Sequence, residues 1–85
     1  MALDIPEEKE SVSKEAEKKA EKLFFKALGY LGKQVTEKAL KLLTKAFELN
    51  PYDRRIWSVK STLLFNLGRR KEAYECGKEG LKYLQ

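Results

Sequence analysis

The chain has 85 residues, of which 36% are charged and 42% hydrophobic, with a formal net charge of +5. That size sets the expectation at one domain, and the mixture at a folded chain with a heavily charged surface. A single cysteine, Cys76, excludes an internal disulfide; with no histidine present, it also leaves no set of zinc ligands.

No apolar run approaches the roughly 18 residues that a membrane-crossing helix needs. The start, Met-Ala-Leu-Asp-Ile-Pro-Glu-Glu, is acidic and lacks the apolar stretch of a secretory signal. No membrane contact is expected, and a lone thiol suits a reducing compartment, so the expected location is cytoplasmic. Charge is uneven. Residues 1–17 carry six acids and two lysines, whereas the rest of the chain carries 16 bases and seven acids. The basic body therefore favours acidic partners. Residues 1–12 read as a partly flexible acidic segment and residues 13–85 as the folded domain.

Apolar residues recur at helical spacing and nowhere alternate as a strand would. The fold class is therefore all-α, with four helices. The first starts near Glu7, where Asp4 and Glu7 have capping-box spacing around Pro6, or near Ser13, and it runs to Leu31 before Gly32. The stripe Val12, Ala16, Ala20, Leu23, Ala27, Tyr30 favours the longer version. A second helix starts with Thr36 as cap and ends at Asn50, because the residue before Pro51 avoids helical geometry. The third follows Asp53, another good cap, and stops at Gly68. The fourth spans about Arg70 to Leu84. Short connections make consecutive helices antiparallel neighbours.

The chain also resembles itself when Leu23 is set on Trp57. At that offset Ala27 falls on Ser61, Tyr30 on Leu64, Ala39 on Ala73, Ala46 on Gly80 and Phe47 on Leu81. Large residues match large ones, and small residues match small ones. With the junction Phe47-Glu48-Leu49-Asn50-Pro51-Tyr52-Asp53, this pattern resembles the tetratricopeptide repeat family over residues 20–85. Repeat one would cover about 20–53 and repeat two about 54–85. The resemblance implies two helix-turn-helix hairpins stacked as a short superhelix. Two departures stand out. Gly77 and Gly80 occupy the last helix, each costing about 1 kcal/mol relative to alanine, so the helix frays or something packs very closely on it. The turn at Lys33-Gln34-Val35 lacks a counterpart of Gly68.

Catalytic readings start with little material. There is no histidine to act as a base near neutrality, and no glycine-rich phosphate loop follows a strand. Glutamates near the N-terminus lie among lysines and read as a solvated face. Cys76 reads as a small, partly buried hydrophobe. The chain is therefore expected not to be an enzyme and to need no metal or cofactor.

In tetratricopeptide proteins the first helix of each unit lines a groove for a peptide or helix. The resemblance places Phe24, Leu28 and Leu31 from the first unit there, with Arg55, Ser58, Thr62 and Phe65 from the second. Phe24 and Leu28 stand where some members of the family need a lysine and an asparagine to clamp a C-terminal carboxylate. The implied groove is therefore more apolar. Arg54 and Arg55 lie in the first turn of a helix, where its dipole disfavours cations, which hints at an anionic partner. The expected role is protein–protein interaction, with a protein or peptide partner bearing acidic residues. Two alternatives stand beside it. One is a homodimer formed through Leu81, Tyr83 and Leu84. The other is weak nucleic-acid binding through Arg69, Arg70 and Lys71 with Tyr74.

Overall fold

A computed structural model describes residues 12–84. The described residues form four helices in chain order: α1 (Lys14–Gly32), α2 (Thr36–Leu49), α3 (Arg54–Asn66) and α4 (Arg70–Leu81). Helix α1 packs along α2, and α3 along α4, as two antiparallel hairpins; a smaller seam between α2 and α3 stacks one on the other. The protein is all-helical, with no strand among the described residues.

Local chemistry explains the starts. The Ser13 backbone is extended (φ −68°, ψ 158°), and its hydroxyl accepts a hydrogen bond from the Ala16 N–H at 3.0 Å. Helix α1 therefore begins at the later of the two expected starts, and Val12 lies outside it. The hydroxyl satisfies one of the donors that a helix N-terminus leaves open, and that fixes the boundary more firmly than an apolar stripe does. The expected capping box at Asp4 and Glu7 lies outside the described residues. Asp53 caps α3 in the same way, accepting from the Arg55 N–H at 3.0 Å. Helix α2 differs from expectation by one residue. Thr36 is its first helical residue, and Val35 holds the cap position without a side-chain hydrogen bond.

The ends are as informative. Gln34 adopts a left-handed backbone (φ 63°), and so does Gly68 (φ 82°). After α1, the Val35 N–H reaches the Tyr30 carbonyl at 2.9 Å and the Gln34 N–H reaches Leu31 at 3.0 Å. After α3, Arg69 reaches Leu64 at 2.9 Å and Gly68 reaches Phe65 at 3.0 Å. This is the Schellman ending, in which two orphan carbonyls are satisfied by the left-handed residue and its successor. The two turns are related by the offset that sets Leu23 on Trp57, and they share one hydrogen-bond pattern although only one has glycine. Helix α4 stops at Leu81, short of the expected Leu84. Tyr83 turns back to pack edge-on against Tyr52 and Phe47, with ring centroids 5.2 and 5.9 Å away.

The core sits in the seams. Ala20, Phe24 and Ala27 of α1 meet Ala39, Leu43 and Ala46 of α2, and Ile56 of α3 enters the same cluster. The alanines let the helix axes approach, while Leu43 and Ile56 are the largest fully buried side chains. Burying each stabilises the fold by about 2 kcal/mol. A second cluster joins Leu40 of α2 to Leu64 and Ala73, so each hairpin lends a residue to the other's core. In the second hairpin a Cβ added at Gly80 would fall inside the indole of Trp57. Close packing, not fraying, is therefore what that glycine serves. Gly77 is different, because a Cβ there would meet only the Ser61 hydroxyl at 3.9 Å.

Candidate functional site

The expected groove residues divide between surface and core. Leu28, Arg55, Ser58, Thr62 and Phe65 are exposed, and Leu31 is half-buried against the first core. Phe24 departs from expectation: at 4% exposure it belongs to the core and cannot grip a partner. It lies one turn from both Ala20 and Ala27, and those two contact α2 on the same stripe. Its neighbour Phe25 faces outward instead, 52% exposed, with its ring edge-on to Phe24 at 5.5 Å.

Arg55 ties the first helices of the two hairpins together. Its guanidinium lies 4.9 Å from the Phe24 ring centroid and 5.8 Å from that of Phe25. It also grips Asp53 through two hydrogen bonds of 3.0 and 2.7 Å and stands 3.9 Å from Glu21. The hydrogen bond from Arg55 holds the Asp53 carboxyl below the ordinary carboxylate range, against a smaller opposing effect of burial. The charge of Arg55 is therefore answered within the chain. The acidic answer comes from the cap itself.

The far end of α3 forms a second, open depression. Ser61, Thr62 and Phe65 line it from α3, and Arg70, Ala73 and Tyr74 from α4. Phe65 is 56% exposed and Tyr74 68%. Arg70 lies over the Phe65 ring at 5.6 Å, and Lys78 over the Tyr74 ring at 5.4 Å. The structure therefore joins Thr62 and Phe65 to residues of α4 rather than to Phe24. Phe25 was absent from the expected residues, and Tyr74 was expected only on the basic surface for nucleic acid, not in the groove. The spacing of Glu21, Phe25 and Leu28 was the available signal for Phe25, because it marks one face of α1.

Between the hairpins lies a third depression, with Leu40, Leu64 and Cys76 in its lining and Glu37, Lys60 and Glu75 among its charged residues. Arg69 links the two turns here, bonding Glu72 at 3.0 Å and Glu37 at 3.5 Å. Such exposed pairs contribute little each. The Cys76 thiol donates to the Trp57 carbonyl at 3.6 Å, and burial pushes its pKa up. A raised pKa leaves less thiolate, so this sulfur is a poor nucleophile. Arg69 is thus engaged by acids, while Arg70 lies over an aromatic ring. Tyr83, one of the three residues expected to pair two copies, is half-buried on Phe47 and Tyr52. No helix of the described residues is long and apolar enough to cross a membrane.

Comparison with known proteins finds a relative of nearly the same extent. The chain is 45% identical over 64 residues to the uncharacterized protein MJ0572 of Methanocaldococcus jannaschii, a match covering 75% of this chain and 74% of that one. No family model matches the chain. No solved structure matches it either.

Proposed function

The chain belongs to the same family as the Methanocaldococcus jannaschii protein MJ0572, and we propose that it is a non-catalytic, tetratricopeptide-like module that binds a peptide or helix of another protein. The observation that carries this reading is the surface shared by α1 and α3. Phe25 and Leu28 remain 52% and 37% exposed there, although a buried core stands directly behind them. Large apolar side chains grouped on one face of a chain this polar mark a binding surface. The repeat reading draws support from the matching turn hydrogen bonds after α1 and α3 and from the match of large and small residues at the same offset. A cytoplasmic setting fits the unpaired thiol of Cys76.

Phe25→Ala and Leu28→Ala test the surface. Each side chain is exposed, so each variant keeps its helicity. Proteins retained from an extract of the source cell by the unaltered chain are expected to be lost from at least one variant, measured by quantitative mass spectrometry. Retention undiminished in both rejects the surface.

A further inference from the structure

The internal match singles out a face that the first hairpin buries and the second leaves open. In the first hairpin Leu40 and Leu43 are closed over by α3, through Leu64 and Ile56. Leu31 and Phe47 pack against the same core. Their counterparts in the second hairpin are Tyr74, Gly77, Phe65 and Leu81. Leu40 is 7% exposed and Leu43 0%, whereas Tyr74 is 68%, Phe65 56% and Leu81 55% exposed. Among the described residues, the second hairpin thus presents uncovered the surface on which the first receives a helix.

Charge says what fits there. Residues advance by about 100° around a helix. On that wheel Arg70, Lys71, Lys78 and Lys82 are the charged positions within about 80° of Tyr74, and Glu72, Glu75 and Glu79 fall beyond them. Arg70, Lys71 and Lys78 have no acid within ion-pair distance among the described residues. Arg70 and Lys78 lie instead over the exposed rings of Phe65 and Tyr74. Apolar residues interspersed with cations and bordered by them on one side complement an apolar stripe bordered by acids.

Two arrangements of a second copy fit poorly. In head-to-tail stacking, α1 of the next copy takes the part of α3, which puts Lys22 where Ile56 is fully buried. Burying that ammonium without a partner is costly. Face-to-face pairing sets one row of cations against another.

We infer that the open face of the second hairpin, built on Phe65, Tyr74, Gly77 and Leu81, receives an amphipathic helix from a different protein whose flanks are acidic. This goes beyond the α1–α3 surface and rests on its own residues. Gly77 has a role in it. Nothing in the chain crowds that position, and a missing Cβ lets the incoming helix approach closely.

The test uses the full chain and a synthetic helix of about five turns, stabilised by a side-chain lactam. The peptide carries the apolar spacing of Ile56, Val59, Leu63 and Leu64, with glutamate on both flanks; a control carries lysine there. Saturable binding is expected in an NMR titration, with amide shifts centred on Tyr74, Gly77 and Leu81. Tyr74→Ala and Leu81→Ala should each weaken binding about tenfold, and the lysine-flanked peptide should bind at least about tenfold more weakly. Phe25→Ala and Leu28→Ala should leave it unchanged, which separates this inference from the surface proposed above. It is overturned by absence of saturation, by equal binding of the lysine-flanked peptide, or by shifts centred on Phe25 and Leu28. A homodimer abolished by Tyr74→Ala overturns it too, as does an RNA oligonucleotide that displaces the peptide.

Discussion

The two hairpins end their first helices with the same turn but close their seams differently. In the first, Leu23 packs against a core that includes Ala46. In the second, the corresponding pair is Trp57 and Gly80, and the indole occupies the space of the missing Cβ. Volume has moved from one partner to the other. The second seam thus sets one large-to-small fit beside the packing of Leu64 on Ala73, whereas the first spreads its packing over Ala20, Phe24, Ala27, Ala39, Leu43 and Ala46. Trp57 brings a further cost, since its Nε1 is buried without an acceptor among the described residues.

The sharpest way to break the second seam is Gly80→Ala. Overpacking against the indole should cost about 3 kcal/mol, read from urea denaturation followed by circular dichroism. Adding Trp57→Leu converts the pair to the first hairpin's version. The double variant should then recover at least about 1 kcal/mol relative to the sum of the single changes. Strict additivity would mean that the two positions are not coupled.

Asp53→Ala should cost about 1 kcal/mol through loss of the α3 cap. The carboxyl is held below its ordinary range by Arg55, so its ionised form is favoured by folding. That contribution is fully present above the ordinary carboxylate range, and it is lost as pH falls through the depressed value. Asp53→Asn keeps a capping oxygen and should flatten the acid limb of the stability profile. Ser13, the cap of the first hairpin, carries no ionisable group.

The two smallest effects run the other way. Gly77→Ala should stabilise the free chain by about 0.5–1 kcal/mol, since helix propensity improves and the new methyl meets only an ordinary contact. Gln34→Gly relieves a left-handed backbone that costs an L-residue about 1–2 kcal/mol. Glycine's extra freedom in the unfolded chain takes back about 0.5–1 kcal/mol. The net gain should be about 0.5 kcal/mol by the same reckoning, and it would make the two turns alike in sequence as well as in hydrogen bonding.

Much of the architecture was legible because punctuation residues act locally. Asp53 as a cap, Pro51 after α2 and Gly68 after α3 each do in the fold what their chemistry requires. Where two local signals competed, as at Glu7 and Ser13, the hydroxyl cap set the start of the first helix and the apolar stripe did not. The left-handed Gln34 could not be read, because nothing in a glutamine announces a positive φ. The candidate surface was less legible than the fold. Phe24 and Phe25 are adjacent and chemically identical, and only the helix packed against Ala20 and Ala27 decides which one is buried. The stacking of Arg55 on both rings depends on how one hairpin meets the next, and no window of sequence contains that relation. Nor did the apolar pattern flag Tyr74, whose exposure follows from the absence of a further helix beyond α4 among the described residues.

Trp57 is the chain's single tryptophan, and its ring lies in the seam of the second hairpin. Its emission is therefore a private optical report on that hairpin, with no signal from the other. Far-ultraviolet ellipticity, by contrast, sums over all four helices. If the stack melts as one unit, the two readouts will trace one curve; if the second hairpin opens first, the fluorescence transition will come earlier. A single native indole thus makes the cooperativity between the hairpins measurable without a label.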